Sequence, residues 1–178
     1  MKRHVIVDGY NLLGARCRGF SQGSFMTEDA RERLIQDLSA YHHRKGHAVT
    51  VVFDGWREGF GTEEREFRSG VEVRFSRRGE TADHVIRRLV EEWGRECAVV
   101  SSDREVASHA RGAGAFVMGA QEFLMRLAEE PSRPGASLPW KKAEEPDDGR
   151  SRRPPDKKGN GRKLPKAFRT RQRKLKEF

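Results

Sequence analysis

The sequence predicts an α/β domain, a largely parallel sheet with helices on both faces, followed by a basic tail. Three observations predict it. Segments 4–8 (HVIVD), 48–53 (AVTVVF) and 97–103 (CAVVSSD) are continuous apolar runs, as strands covered on both faces are. Stretches with helical spacing alternate with them. The composition then breaks at Pro131, beyond which Pro, Gly and charge dominate.

The elements follow in order. HVIVD reads as a buried strand, and Gly9 after it permits a tight exit. Thr27 suits a helix N-cap, with Glu28 and Asp29 in the first turn, where the helix dipole favours acids. Ala30, Leu34, Leu38 and Tyr41 continue at helical spacing, and Gly46 ends that helix. AVTVVF is a strand closing on Asp54-Gly55, and residues 56–70 read as a polar loop. VEVRF, residues 71–75, alternates like a half-exposed strand. Thr81 can cap a helix carrying Val85, Ile86, Leu89, Val90 and Trp93. After CAVVSSD come a helix with Val106, Ala107 and Ala110, a short strand at 115–118, and a helix over 120–130 with Phe123, Leu124 and Leu127.

This gives a domain over residues 1–130, a disordered linker over 131–163 and a basic terminal segment over 164–178. In that last segment Leu164, Phe168, Leu175 and Phe178 fall within about an 80° arc at roughly 100° per residue. Pro165 suits a first helical turn, and Arg169, Arg171, Arg173, Lys174 and Lys176 cover much of the rest. A basic amphipathic helix that folds on a partner is one reading, and a random basic tail is the other.

The charge is uneven. Residues 141–178 hold 15 basic and 6 acidic residues of the 36 and 27 in the chain, leaving 21 of each sign in residues 1–140. The whole excess of +9 therefore sits in the tail, which points to a polyanion, most often nucleic acid. No apolar run of about 18 residues predicts a membrane span. Cys17 and Cys97 form no CxxC pair, so a cytoplasmic protein with free thiols is expected. His42, His43 and His47 cluster, but Gly46 interrupts them and no cysteine pair supports a zinc site. Neither G-x-G-x-x-G nor G-x-x-x-x-G-K-[ST] occurs, so no nucleotide cofactor is expected. An aspartyl phosphatase would carry a second Asp two residues after the first, where Tyr10 stands.

The chemistry lies at the strand ends. In parallel α/β sheets, ligands bind outside the carboxyl ends of the strands. Asp8, Asp54 and Asp103 each end a predicted strand, and Asp83 opens the helix after VEVRF. Neighbouring strands would bring the four carboxylates to one edge. Such a group repels itself and resists desolvation unless cations hold it together. Mg²⁺ and Mn²⁺, which take oxygen ligands and keep several waters, fit best. The chemistry that suits them is phosphodiester hydrolysis by water. Each acid alone reads equally as a turn former or helix cap. Asn11 can bond a carboxylate, a metal water or a phosphate, or can close the turn onto backbone. Ser101 or Ser102 can orient Asp103 or contact phosphate, with strand-end capping the simpler role for Ser102. Tyr10 reads as packing, and His84 as solvent-exposed.

DGYN after an apolar strand, VVFDG, ETAD opening one helix and VVSSD opening another resemble, in that order over residues 4–128, the YacP-like group of NYN domains. NYN domains belong to the PIN-like nuclease superfamily. The resemblance implies a three-layer Rossmann-like sandwich and metal-dependent RNA cleavage. Carried over, Asp8, Asp54, Asp83 and Asp103 become the metal-binding cluster, with Asn11 and Ser101 as catalytic support. It also implies mRNA and the ribosome as partners, which a basic tail would suit. The match leaves the tail beyond Pro131 uncovered. The rival reading is a non-catalytic RNA- or ribosome-binding module. There Trp56, Arg57, Phe60, Arg65 and Arg68 of the loop stack on bases and contact phosphates, with Arg169, Arg171, Arg173 and Lys174 of the tail.

Overall fold

A computed structural model describes residues 3–17, 27–55, 62–128 and 166–177. The chain divides into two units, Met1–Pro131 and Ser132–Phe178. The first holds β1 (His4–Asp8), α1 (Gly9–Arg16), α2 (Glu28–Lys45), β2 (Ala48–Phe53), β3 (Glu64–Arg68), β4 (Val71–Phe75), α3 (Ala82–Trp93), β5 (Cys97–Val100), α4 (Arg104–Gly112), β6 (Phe116–Met118) and α5 (Ala120–Ala128). The second contains α6 (Lys166–Glu177), one of the two readings of the chain end, whose residues Arg169, Arg171, Arg173 and Lys174 are exposed. Leu164, Pro165, Phe178 and the linker 131–163 lie outside the described residues.

The six strands run in the order β3-β4-β2-β1-β5-β6, all parallel except β3. β1 sits at the centre, pairing Asp8 with Val52 on one side and Val7 with Val100 on the other. Helices cover both faces. Ile6, Val52 and Val99 pack beneath α3 and α4 with Val85, Ile86, Leu89 and Val106. Tyr41 of α2 and Phe123 of α5 meet edge to face at 5.1 Å, and both are fully buried. The strand order reverses between β1 and β5, the place in such a sheet where a crevice opens.

The structure corrects three local expectations and gives a fourth a different cause. The polar loop over 56–70 is only partly one. Residues 56–61, with Trp56, Arg57 and Phe60, lie outside the described residues, but Glu64–Arg68 is a strand antiparallel to β4. A two-residue turn joins the pair, with Ser69 at φ 48° and Gly70 at φ 84°. Two successive positive φ angles are what a hairpin turn matched to strand twist needs.

VEVRF is not half-exposed, because all five of its residues are buried. Glu72 and Arg74 are held inside by each other at 3.0 Å. Thr50 donates to Glu72 at 2.7 Å, and Glu63 pairs with Arg74 at 3.2 Å. A buried ion pair is tolerable only when its remaining donors and acceptors are met in this way. The strand CAVVSSD stops at Val100.

Finally, the exit at Gly9 is tight, but it depends on the missing side chain and not on a positive φ. The chain passes from β1 directly into α1. Gly9 is needed because a Cβ there would stand 2.3 Å from the Phe53 ring.

Candidate active site

Three of the four aspartates serve as helix caps. Asp8 is the N-cap of α1 and accepts from Asn11 N at 3.1 Å. Asp103 is the N-cap of α4 and accepts from Glu105 N at 2.7 Å and Val106 N at 3.1 Å. Asp54, at the end of β2, accepts from Ala82 N at 2.6 Å and so caps α3 from a distance of 28 residues. Thr81, the expected cap there, makes no cap hydrogen bond and contacts His84 instead. Each acid thus meets amide donors left open by a helix, where the dipole favours negative charge. The capping and functional readings coexist, because a carboxylate has about four lone-pair sites and a cap uses one or two.

Hydrogen bonds between the start of α1 and the loop after β5 fix Asp8 and Asp103 relative to one another. Ser101 is buried; its hydroxyl donates to Asp8 Oδ2 at 3.1 Å and accepts from Asp103 N at 3.1 Å. It links the Asp8 carboxylate to the backbone of Asp103. Asn11 Oδ1 accepts from Ser102 N at 2.8 Å, tying the start of α1 to the loop after β5. Asn11 therefore closes onto backbone, but onto a segment 91 residues away. Ser102 does cap: its hydroxyl accepts from Ala120 N at 3.1 Å at the start of α5. Tyr10 packs edge-on to Phe53 at 5.2 Å, and its hydroxyl accepts from Arg31. Replacing Asn11 with Ala should cost about 1 kcal/mol of stability by removing one net hydrogen bond. A urea unfolding midpoint equal to the parent's would show that the latch contributes nothing.

The electrostatics link the acids through Asp83, which feels Asp103 and Asp54 and acts on Asp8. Burial pushes the Asp8 carboxyl up to about 6. Its bonds from Asn11 and Ser101 oppose the rise, and the charges of Asp83 and Asp54 add to it. Asp83 is also raised, first by desolvation and then by Asp103, with Arg87 acting against it. Arg87 lies one helical turn beyond Asp83, a partner at i+4 spacing that the sequence already contained.

Among the described residues, no three Asp, Glu, His or Cys side chains stand as a ready-made ligand set for a metal ion. The donor chemistry still fits a hard dication. All four are carboxylates with lone pairs to spare, and their mutual repulsion is what a cation relieves. An ion held here would keep several waters, as Mg²⁺ commonly does.

Two further predicted residues are described in the same unit as this cluster. Arg65 and Arg68 sit on β3 and are engaged, Arg65 with Glu72 at 3.1 Å and Arg68 with Glu66 at 2.7 Å and with Glu32. His42 Nδ1 lies 2.6 Å from His47 O, a backbone contact within the histidine cluster. Both cysteines are free, and burial pushes the Cys97 thiol up to about 11, which leaves it unreactive. Among the described residues, no helix is long and apolar enough to cross a membrane.

Known proteins resemble this chain in sequence and fold. The sequence model of the YacP-like NYN domain matches residues 5–159, about 30 residues beyond the stretch that the motifs span. The chain is 34% identical over 128 residues to the uncharacterized protein YacP of Bacillus subtilis (strain 168), covering 69% of this chain and 74% of that one. The crystal structure of Rae1 (YacP) from Bacillus subtilis aligns with a TM-score of 0.56 at 33% identity, over 70% of this chain and 72% of that one. Its W164L mutant aligns with a TM-score of 0.58 at 32% identity, over 72% and 76%. A nuclease-type fold, a parallel sheet with acids at its carboxyl edge and these relatives all agree: the chain belongs to the YacP-like NYN domain family.

Proposed function

We propose that this protein is a Mg²⁺- or Mn²⁺-dependent endoribonuclease that hydrolyses phosphodiester bonds in RNA. One observation carries the reading. Four aspartates from separate elements are coupled through space at the carboxyl edge of a nuclease-type sheet, two of them with raised carboxyl pKa values. A protein with no use for that repulsion would have little reason to keep it.

Asp8, Asp54, Asp83 and Asp103 would hold the ion. When bound, a divalent ion supplies charge that eases ionisation of a water nucleophile and stabilises the departing oxygen. The chain's own part is positional. Asp8 must be ionised, which in the metal-free protein happens above about pH 6. Ser101 keeps Asp8 and Asp103 in a fixed relation, and Asn11 keeps their two loops together. Helix caps hold the carboxylates of Asp8, Asp54 and Asp103, so little reorganisation of these three is needed when charge develops. No side chain has to form a covalent intermediate. The test is cleavage of a mixed-sequence single-stranded RNA with Mg²⁺, with Mn²⁺ and with EDTA. Products that form with metal and disappear with EDTA support the reading. EDTA-resistant cleavage would remove the metal from it.

A second reading, an RNA- or ribosome-binding module without catalysis, is favoured by the exposed basic residues of α6. Retained RNA binding without cleavage under either metal would select it, unless translating ribosomes restore cleavage by presenting mRNA. Under both readings the tail, rather than the near-neutral body, carries the long-range attraction to RNA. Deleting residues 141–178 should weaken binding and flatten its salt dependence. The slope of log K against log salt should fall by roughly 0.7 to 0.9 for each phosphate that the tail had neutralised. An unchanged slope would free the tail from that role.

A further inference from the structure

On the carboxyl edge that carries the acids, the β4–α3 loop and the outer side of α3 enclose an open cleft of about 710 Å³. Arg77 and Arg78 come from the loop, and His84, Arg87 and Arg88 from α3. The lining sets four arginines against Glu80 and Glu91 and contains no Trp, Tyr or Phe. The cleft adjoins the acid cluster, because His84 follows Asp83 directly and Arg87 is one turn further along α3.

The arginines differ in their commitments. Arg88 pairs with Glu80, and Arg77 reaches the same carboxylate at 3.4 Å. Arg87 pairs with the exposed Glu105 at 3.2 Å. Arg78 is exposed and has no ion-pair partner among the described residues. A guanidinium offers five donors, so Arg87, bonded to Glu105 and facing Asp83 only through charge, keeps donors for a further anion. A site of this kind suits a chain of phosphates. It offers charge and forked donors but no aromatic platform on which a base could stack.

Resting on the nuclease reading above, we infer that this cleft holds the phosphodiester backbone of the RNA strand on one side of the cut, through Arg78 and Arg87, without reading its bases. Sequence preference, where the enzyme has one, arises elsewhere on its surface.

The test measures binding apart from cleavage. Fluorescent oligo(A) and oligo(U) RNAs are titrated with full-length Asp8→Asn protein across a salt series, then with Arg78→Ala and Arg87→Ala added singly and together. Arg111→Ala, at the opposite end of α4 from Asp103, is the surface control. The double variant should weaken binding of both RNAs about tenfold, the scale of one or two charge-assisted hydrogen bonds. It should lower the salt slope by about 0.7 for each phosphate no longer neutralised. Arg87→Lys should restore most of the slope, because it keeps the charge. In cleavage assays KM should rise more than kcat falls.

Affinity and slope equal to those of the Arg111→Ala control would overturn the inference, as would a loss confined to one of the two RNAs. A protein that cleaves RNA while both arginine variants bind normally remains a nuclease with its track elsewhere. A protein that never cleaves but loses binding and slope in the double variant keeps the cleft and loses the nuclease assignment. Absence of RNA binding in the parent overturns both.

Discussion

Asp8→Asn is expected to abolish RNA cleavage and to make the protein more stable at neutral pH. The loss of activity should reach about three orders of magnitude, since a ligand to a charge-stabilising ion contributes several kcal/mol to the transition state. The gain in stability follows from burial. Asp8 is 8% exposed, and its carboxyl pKa rises from 3.8 to about 6, chiefly by desolvation and further by Asp83 and Asp54. Between those two pH values the folded chain binds a proton that the unfolded chain has released. This group's contribution therefore falls as pH rises from 3.8 to about 6 and is flat above. At pH 7.5 the penalty is of order 2–3 kcal/mol. Asparagine removes it and still caps α1, because amide and carboxylate oxygens accept equally well at an N-cap. In EDTA, thermal melts should show the variant several degrees above the parent at pH 7.5, with the gap closing by about pH 4. Full cleavage by Asp8→Asn would sink the acid-site reading. A variant less stable than the parent at pH 7.5 would show that the carboxylate's hydrogen bonds outweigh its desolvation.

The second large effect lies at a residue with no chemistry of its own. Gly55 follows Asp54 where β2 and β4 are laced together beyond their last register pair. Ser76 N donates to Phe53 O at 3.0 Å, and Gly55 N donates to Ser76 Oγ at 3.0 Å. A Cβ on Gly55 would stand 2.0 Å from the Ser76 carbonyl oxygen. That neighbour is backbone, so no rotamer change can make room. Gly55→Ala should cost about 3 kcal/mol or more, the upper range for overpacking. It should also shift Asp54 away from Ala82 N and depress cleavage in the protein that remains folded. Gly112→Ala in α4 makes the comparison, because a Cβ there meets nothing within 4 Å. It should be neutral or stabilising by up to about 1 kcal/mol. Equal unfolding midpoints for the two variants would mean that the loop yields where the packing says it cannot.

The parts of this molecule legible in its sequence are those that local physics decides. β1, β2 and β5 announce themselves as apolar runs, and α2 shows its Thr27 cap, acidic first turn and left-handed Gly46. The acid set was legible because each Asp ends a strand or opens a helix. Elements shaped by distant partners were not. α1 carries adjacent Leu12 and Leu13 without a periodic stripe, and it forms because Asp8 caps it and Phe53 packs on Gly9. β3 is mostly charged and exists because β4 offers it an edge, although the Ser69-Gly70 pair was a hairpin signal in plain sight. The burial of Glu72 and Arg74 depends on Thr50 and Glu63, neither of which is near them in the chain. Asp54 as the cap of α3 spans a gap that no local rule covers.

The central position of β1 also sets when this protein can begin to act during its own synthesis. The strand made first needs β5, made almost a hundred residues later, on its second edge. The two latches span 93 and 91 residues. A growing chain that stops before Ser101 already carries Asp8, Asp54 and Asp83, yet lacks Asp103 and both latches. Such non-local pairing forms late, because its loop-closure cost is met before any contact repays it. The acid site is therefore assembled late, and a polypeptide still short of residue 101 carries three of the four aspartates without the latches that hold Asp8 beside the loop after β5.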